Sequence, residues 1–137
     1  MATPTLEEIS ATLENHAVFV VIAETLEAWQ PPSTPEGRKV LHAHYLWAME
    51  VRAKGRLLFA GPLDMGAHGP ASPPSIGAPT GLLVLRAASK AEAEEMAQQD
   101  PLHRAGFRRN VVHAWSIRWG ESEITSAVGA VLATPLR

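Results

Sequence analysis

AVFVVIA at residues 17–23 and GLLVLRA at residues 81–87 decide the reading of the fold. The first is a continuous apolar run rich in β-branched residues, and both have the length of a buried strand. A sheet with one wet face should alternate apolar and polar residues along each strand. AVFVVIA and GLLVL do not alternate. Both faces of the sheet that holds them therefore require cover.

Working outward, residues 35–54 follow a helical period. Val40, Leu41, His44, Trp47, Ala48 and Val51 recur at three- and four-residue spacing. Gly55 stops this helix, with Arg52 and Lys54 in its last turn, where cations complement the dipole. RLLFA at 56–60 is a second strand, ended by Gly61-Pro62. Residues 63–80 are dense in Gly and Pro and form a long loop. A loop of that length is more often functional or mobile than idle. After the strand at 81–87, Ser89 caps a helix over 90–99 and Glu92 completes a capping box. Asp100-Pro101 ends that helix, because a residue before proline disfavours the helical region. VVHAWSIRW at 111–119 is a fourth strand. At the ends, 5–15 reads as a short helix opened by Thr5, and the tail is expected to add a short fifth strand around 127–132.

The order is strand, helix, strand, strand, helix, strand. That is an α+β fold of ferredoxin-like βαββαβ type: a four-stranded antiparallel sheet with two helices on one face. The helices suffice for one face only. A second copy is the simplest cover for the other, so the expected assembly is a homodimer packed through sheet faces, a dimeric α/β barrel. The alternative cover is the N-terminal segment together with the tail. The 137 residues fit one domain, with a core over about 17–119.

Composition excludes several function classes. Hydrophobic residues make up 46% of the chain and charged residues 19%, which is globular and not disordered. The net charge of −2 and the lack of a basic stripe argue against nucleic acid. The nearest basic run, Arg104 with Arg108 and Arg109, is short and balanced by the acids at 92–95. There is no cysteine, so thiolate metal sites and cysteine nucleophiles drop out. No stretch reaches the roughly 20 apolar residues of a membrane span. The first 15 residues carry acids where a signal peptide carries bases. A cytoplasmic protein with no membrane contact is expected.

His44 is the first candidate for chemistry. It lies within the apolar stripe of its helix, and histidine is readily tuned as a base near neutral pH. Taken alone, it reads first as a core histidine bonded to a carbonyl. Asp100 taken alone reads as a turn device. His103 shares the Asp100 turn and either lines a cleft or faces solvent. His42 points to nearly the opposite helix face from His44. His113 alternates with Val111, Trp115 and Ile117, and His68 sits in the long loop as a solvated or lid residue. Tyr45, Trp47, Trp115 and Trp119 read as core or interface aromatics. The histidines offer no metal-ligand spacing, no Gly-x-Ser-x-Gly elbow occurs, and no motif supports a cofactor.

Taken in order, His44, Gly55-Arg56-Leu57-Leu58, Ala60-Gly61-Pro62, Asp100-Pro101 and Ala105-Gly106 resemble the YciI-like (YCII-related) family. The resemblance covers roughly residues 17–119. It implies a ferredoxin-like fold that dimerises as a barrel, in agreement with the strand argument. It also implies a cleft with a catalytic histidine–aspartate pair, here His44 and Asp100. Relatives in the wider barrel class include isomerases, lyases and monooxygenases. The N-terminal extension, the 63–80 loop and the tail after Trp119 depart from the short family pattern and bear on the shape of the cleft.

Three functions fit these observations. The first is a lyase or isomerase without cofactor or metal, acting on a small cyclic or carbonyl-bearing compound. In it His44 and Asp100 do acid–base work, and Gly61, Pro62 and His103 contact substrate. The second is a module that senses or carries a small ligand in the same cleft. The third is an interaction domain whose dimer is the point.

Overall fold

β1 (His16–Thr25) and β3 (Pro79–Leu85) are the two central strands of a four-stranded antiparallel sheet. β2 (Leu57–Pro62) flanks β3 and β4 (Arg108–Ile117) flanks β1, giving the order β2-β3-β1-β4. The computed structural model describes residues 2–64 and 74–136. The two runs that fail to alternate are thus the two strands with neighbours on both edges and packed residues on both faces.

One face carries Val21, Leu83, Leu85 and Val112, all buried. They pack against Val51 of α2 (Pro35–Ala53) and against Ala93 and Ala97 of α3 (Lys90–Gln98). Each buried Val or Leu side chain stabilises the fold by about 1.5–3 kcal/mol. Thr34 caps α2 by accepting from the Gly37 N–H at 3.0 Å. Gly55, at φ 72°, turns the chain out of the helix into β2. Ser89 caps α3 through the Glu92 N–H at 3.1 Å. The ferredoxin-like order of strands and helices is the one expected.

The tail departs from expectation. The strand expected at 127–132 is part of a helix, α5 (Ser122–Ala133). A short apolar run such as AVGAVL has no period that separates strand from helix, and its alanines favour helix. Val128 and Leu132 of α5 pack on Val18, Val84 and Ile117, the second face of the sheet. Gly129 allows the approach, since a Cβ there would stand 2.8 Å from His16 Cε1. Buried Arg86 reaches over the end of α5. Its guanidinium donates to the Thr134 hydroxyl at 2.9 Å, the Leu132 carbonyl at 3.4 Å and the Thr134 carbonyl.

α5 covers part of that face and no more. Val20, Ile22, Leu82 and Val111 remain half-buried, and His113 and Trp115 are exposed. Register places these residues with Val18: His113 opposes Val20, Trp115 opposes Val18, and Val111 opposes Ile22. His113 and Trp115 therefore face away from α2 and α3.

Smaller differences concern boundaries. α1 spans only Leu6–Ser10, with the Thr5–Glu8 capping box. β4 starts at Arg108, three residues before the expected strand, and stops at Ile117, so Trp119 lies beyond it. A four-residue helix, α4 (Pro101–Arg104), follows α3 directly. Of the 63–80 loop, residues 65–73, including His68, lie outside the described residues. No described helix is long and apolar enough to cross a membrane.

Candidate functional site

α2 and the start of α4 meet at the His44–Asp100 pair. His44 Nδ1 lies 2.6 Å from Asp100 Oδ1, and the Asp100 side chain is wholly buried. Asp100 is also the N-cap of α4: the same Oδ1 accepts from the Leu102 N–H at 3.0 Å. Oδ2 accepts from Asn110 Nδ2 at 3.0 Å. The turn role and the pairing role are thus held by one side chain.

Burial alone would push the Asp100 carboxyl up. The hydrogen bond and charge of His44, with the Asn110 amide and the Leu102 N–H, outweigh it and hold the group below its ordinary value. An ionised carboxylate only accepts, so His44 Nδ1 carries the proton. In the neutral ring the lone pair is then on Nε2, which makes no hydrogen bond to any described residue.

β4 supplies the remaining polar groups. Register pairs Arg108 with Thr25, Asn110 with Ala23 and Val112 with Val21, so all three share the face that meets α2 and α3. Asn110 Nδ2 donates to the Ala97 carbonyl at 2.9 Å as well as to Asp100, which ties the end of α3 to the pair. Arg108 Nη2 stands 3.8 Å from Asp100 Oδ2, an ion pair without a hydrogen bond. Burial pushes the Arg108 pKa down, against the charge of Asp100.

His44 lines a cavity of about 540 Å³. Trp29, Leu41, Leu83 and Leu102 give it apolar walls; Tyr45 and Arg108 add polar groups. Gly61 and Pro62 line it, as do Leu63 and Pro74 from the described ends of the long loop. Asp100 stands behind His44 and is not part of the wall. His103 does not line the cavity either. Its Nδ1 accepts the Asn110 backbone N–H at 3.1 Å, which anchors α4 to β4. His42 is exposed on α2. Among the described residues no three His, Asp or Glu side chains converge as a metal-binding group.

The sequence brought out His44, Asp100, Gly61 and Pro62, and the structure gathers them at one site. It did not bring out Arg108 or Asn110. Their signal was alternation with Val112, visible only once β4 is started at residue 108.

A βαββαβ sheet with a buried histidine–aspartate pair behind a cavity defines a ferredoxin-like α+β domain with a ligand-sized site. The family model of the YCII-related domain matches residues 17–116, and the chain belongs to that family. Among solved structures it is similar to 5-chloro-2-hydroxyhydroquinone dehydrochlorinase from Burkholderia phenoliruptrix AC1100, in complex with 2,5-dihydroxybenzoquinone. The identity is 19%, over 72% of this chain and 92% of that one, with a TM-score of 0.49. No curated protein matches the chain.

Proposed function

We propose that the chain is an acid–base enzyme of lyase or isomerase type, acting without cofactor on a small cyclic or carbonyl-bearing compound held in the cavity. His44 is its catalytic residue and Asp100 its positioning residue. The observation that carries this reading is the 2.6 Å Nδ1–Oδ1 contact, on a ring that lines the cavity with Nε2 unbonded.

His44 Nε2 takes a proton from a carbon next to the carbonyl and becomes imidazolium. The C–H electron pair moves into the carbonyl and leaves an enolate. Where a C=C is conjugated with the enolate, return of the proton at the far end of the dienolate completes an isomerisation. Where the neighbouring carbon bears a leaving group, the enolate pair forms a C=C as that group departs with its bonding pair. The imidazolium gives its proton to the departing group or to water, which completes an elimination. Asp100 stabilises the imidazolium in both. Gly61 and Pro62 contribute backbone that a ligand can approach. His103 has no place in this scheme, since it does not line the cavity.

The test is deuterium exchange in heavy water, followed by NMR on a panel of small cyclic keto acids and enols. The wild type is expected to exchange an acidic C–H, and His44→Gln to abolish exchange while remaining folded. Equal exchange in His44→Gln overturns the role of His44. Binding without exchange across the panel points to a sensing or carrying module in place of an enzyme.

We also propose a homodimer formed through the part of the second sheet face that α5 leaves open, around Val20, Ile22, Leu82 and Trp115. Trp115 is 46% exposed there, amid half-buried aliphatic residues. Large exposed apolar patches mark interaction surfaces. A cytoplasmic location belongs to the same proposal, and a chain without disulfides is compatible with it.

A further inference from the structure

Arg108 has less to do than a buried guanidinium should. Its side chain is 12% exposed. No hydrogen bond joins it to any described residue, and its Nε is buried with no partner. The ion pair to Asp100 is loose, at 3.8 Å. The Asp100 oxygens are already taken by His44, Leu102 and Asn110 at 2.6–3.0 Å. Removing a guanidinium from water costs several kcal/mol unless hydrogen-bonded oxygens replace the water. Nothing among the described residues supplies that replacement.

The surroundings indicate where the missing partner sits. Arg108 lines the cavity, and among the described lining residues no Asp, Glu or Lys accompanies it. The wall therefore carries one permanent charge, and it is positive. The guanidinium lies over β1 toward β3, in a slot that exists because residue 81 has no side chain. A Cβ on Gly81 would stand 2.6 Å from Arg108 Nη1. His44 borders the same cavity, so a ligand bound to Arg108 would also lie against the histidine.

We propose that Arg108 is the anion-binding residue of this cavity, and that its ligand is a small planar organic anion bearing a carboxylate or an ionised hydroxy-carbonyl pair. This rests on the cavity being the ligand site and deepens that reading by naming the substrate class. A two-oxygen anion matches the planar fork of arginine, whose parallel N–H donors favour bidentate pairing. The remaining apolar wall accommodates the ring or chain that carries the anion.

The experiment measures binding and not turnover, so its outcome is separate from the role of His44. Benzoate, tropolonate and neutral benzamide are titrated into the wild type and followed by amide NMR shifts. At least one anion is expected to bind roughly ten-fold or more tightly than benzamide. Arg108→Gln should lose that preference, Arg108→Lys should keep part of it, and His42→Gln, exposed on α2 and outside the cavity, should keep it. Gly81→Ala, which displaces only the guanidinium tip, should weaken anion binding while thermal stability is nearly unchanged. Benzoate alone binding identifies a carboxylate; tropolonate alone identifies the ionised enol. Failure of both anions to outbind benzamide overturns the proposal. So does an anion preference that persists in a folded Arg108→Gln protein, which would leave Arg108 as a support for Asp100 only.

Discussion

Asp100 grips His44 with the same oxygen that caps its own helix: Oδ1 is 2.6 Å from the ring Nδ1 and 3.0 Å from the Leu102 backbone nitrogen. Positioning the histidine and starting α4 are one event. A substitution at residue 100 therefore acts on both.

Asp100→Asn has a single oxygen, so it cannot cap α4 and donate to His44 from the position that Oδ1 now holds. Turned with its oxygen toward the Asn110 amide and its nitrogen toward Nδ1, it drives the ring proton to Nε2 and gives up the cap. Nitrogen-15 NMR of His44 is expected to show Nδ1–H in the wild type and Nε2–H in the variant. Turnover should fall on the order of 10³–10⁴-fold, as when a triad aspartate is neutralised. An unchanged tautomer would refute the assignment of the carboxylate as its cause.

Acid stability follows from the same group. Burial raises the Asp100 pKa, but His44, Asn110 and the Leu102 N–H together hold it below the unfolded value of about 3.9. A depressed carboxyl stabilises the fold in full above its unfolded pKa. That stabilisation is lost as pH falls through the folded value. Urea unfolding of the wild type from about pH 5 to pH 2 should show falling stability, and Asp100→Asn a shallower fall. Superimposable pH profiles would assign the loss to other carboxylates.

Ala60 pairs with Leu83 on the face of the sheet that meets α2, and it lines the cavity. Ala60→Val should fold as well as the wild type, since a β-branched residue suits a strand. Its side chain should occupy the cavity and lower ligand affinity roughly ten-fold or more, at about 1.4 kcal/mol per decade. Thermal melts and titration together check this; a lowered melting temperature with intact binding would contradict it.

Arg86 fastens α5 to the sheet through Leu132 and Thr134. Arg86→Met should destabilise the fold by about 1–3 kcal/mol, the loss of charge-assisted hydrogen bonds to the last groups of a helix. Limited proteolysis should then cut first between β4 and the C-terminus. Wild-type cleavage kinetics in the variant would show that apolar packing alone holds α5.

Trp115→Glu places a charge in the middle of the open sheet face. Light scattering at micromolar concentration is expected to give a dimer mass for the wild type and a monomer mass for the variant. A monomeric wild type sinks the dimer proposal outright.

The sheet was legible because its two central strands are apolar runs of strand length, the first of them rich in β-branched residues, which the run in α5 is not. α2 was legible from the stripe that includes His44, and α3 from its cap. The His44–Asp100 contact was legible only through family resemblance. The two residues are 56 positions apart, and no local rule joins them. α5 was misread because its apolar run is too short to reveal a period. α4 has four residues, too few for a periodic pattern to register. Arg108 was passed over as one member of a surface basic run, since its burial depends on pairing with β1 and not on its neighbours in sequence.

The register of β4 against β1 has a consequence for chains that fold imperfectly. In register, Arg108 and Asn110 point to the cavity side and Arg109 points away, where it bonds Glu24 at 2.7 Å. A slip by one residue exchanges the two faces of the strand. Arg109 and Val111 would then turn inward, and Asp100 would lose its amide partner and its nearby cation at once. Mispaired molecules would keep His44 but lose the groups of β4 that fix its carboxylate partner.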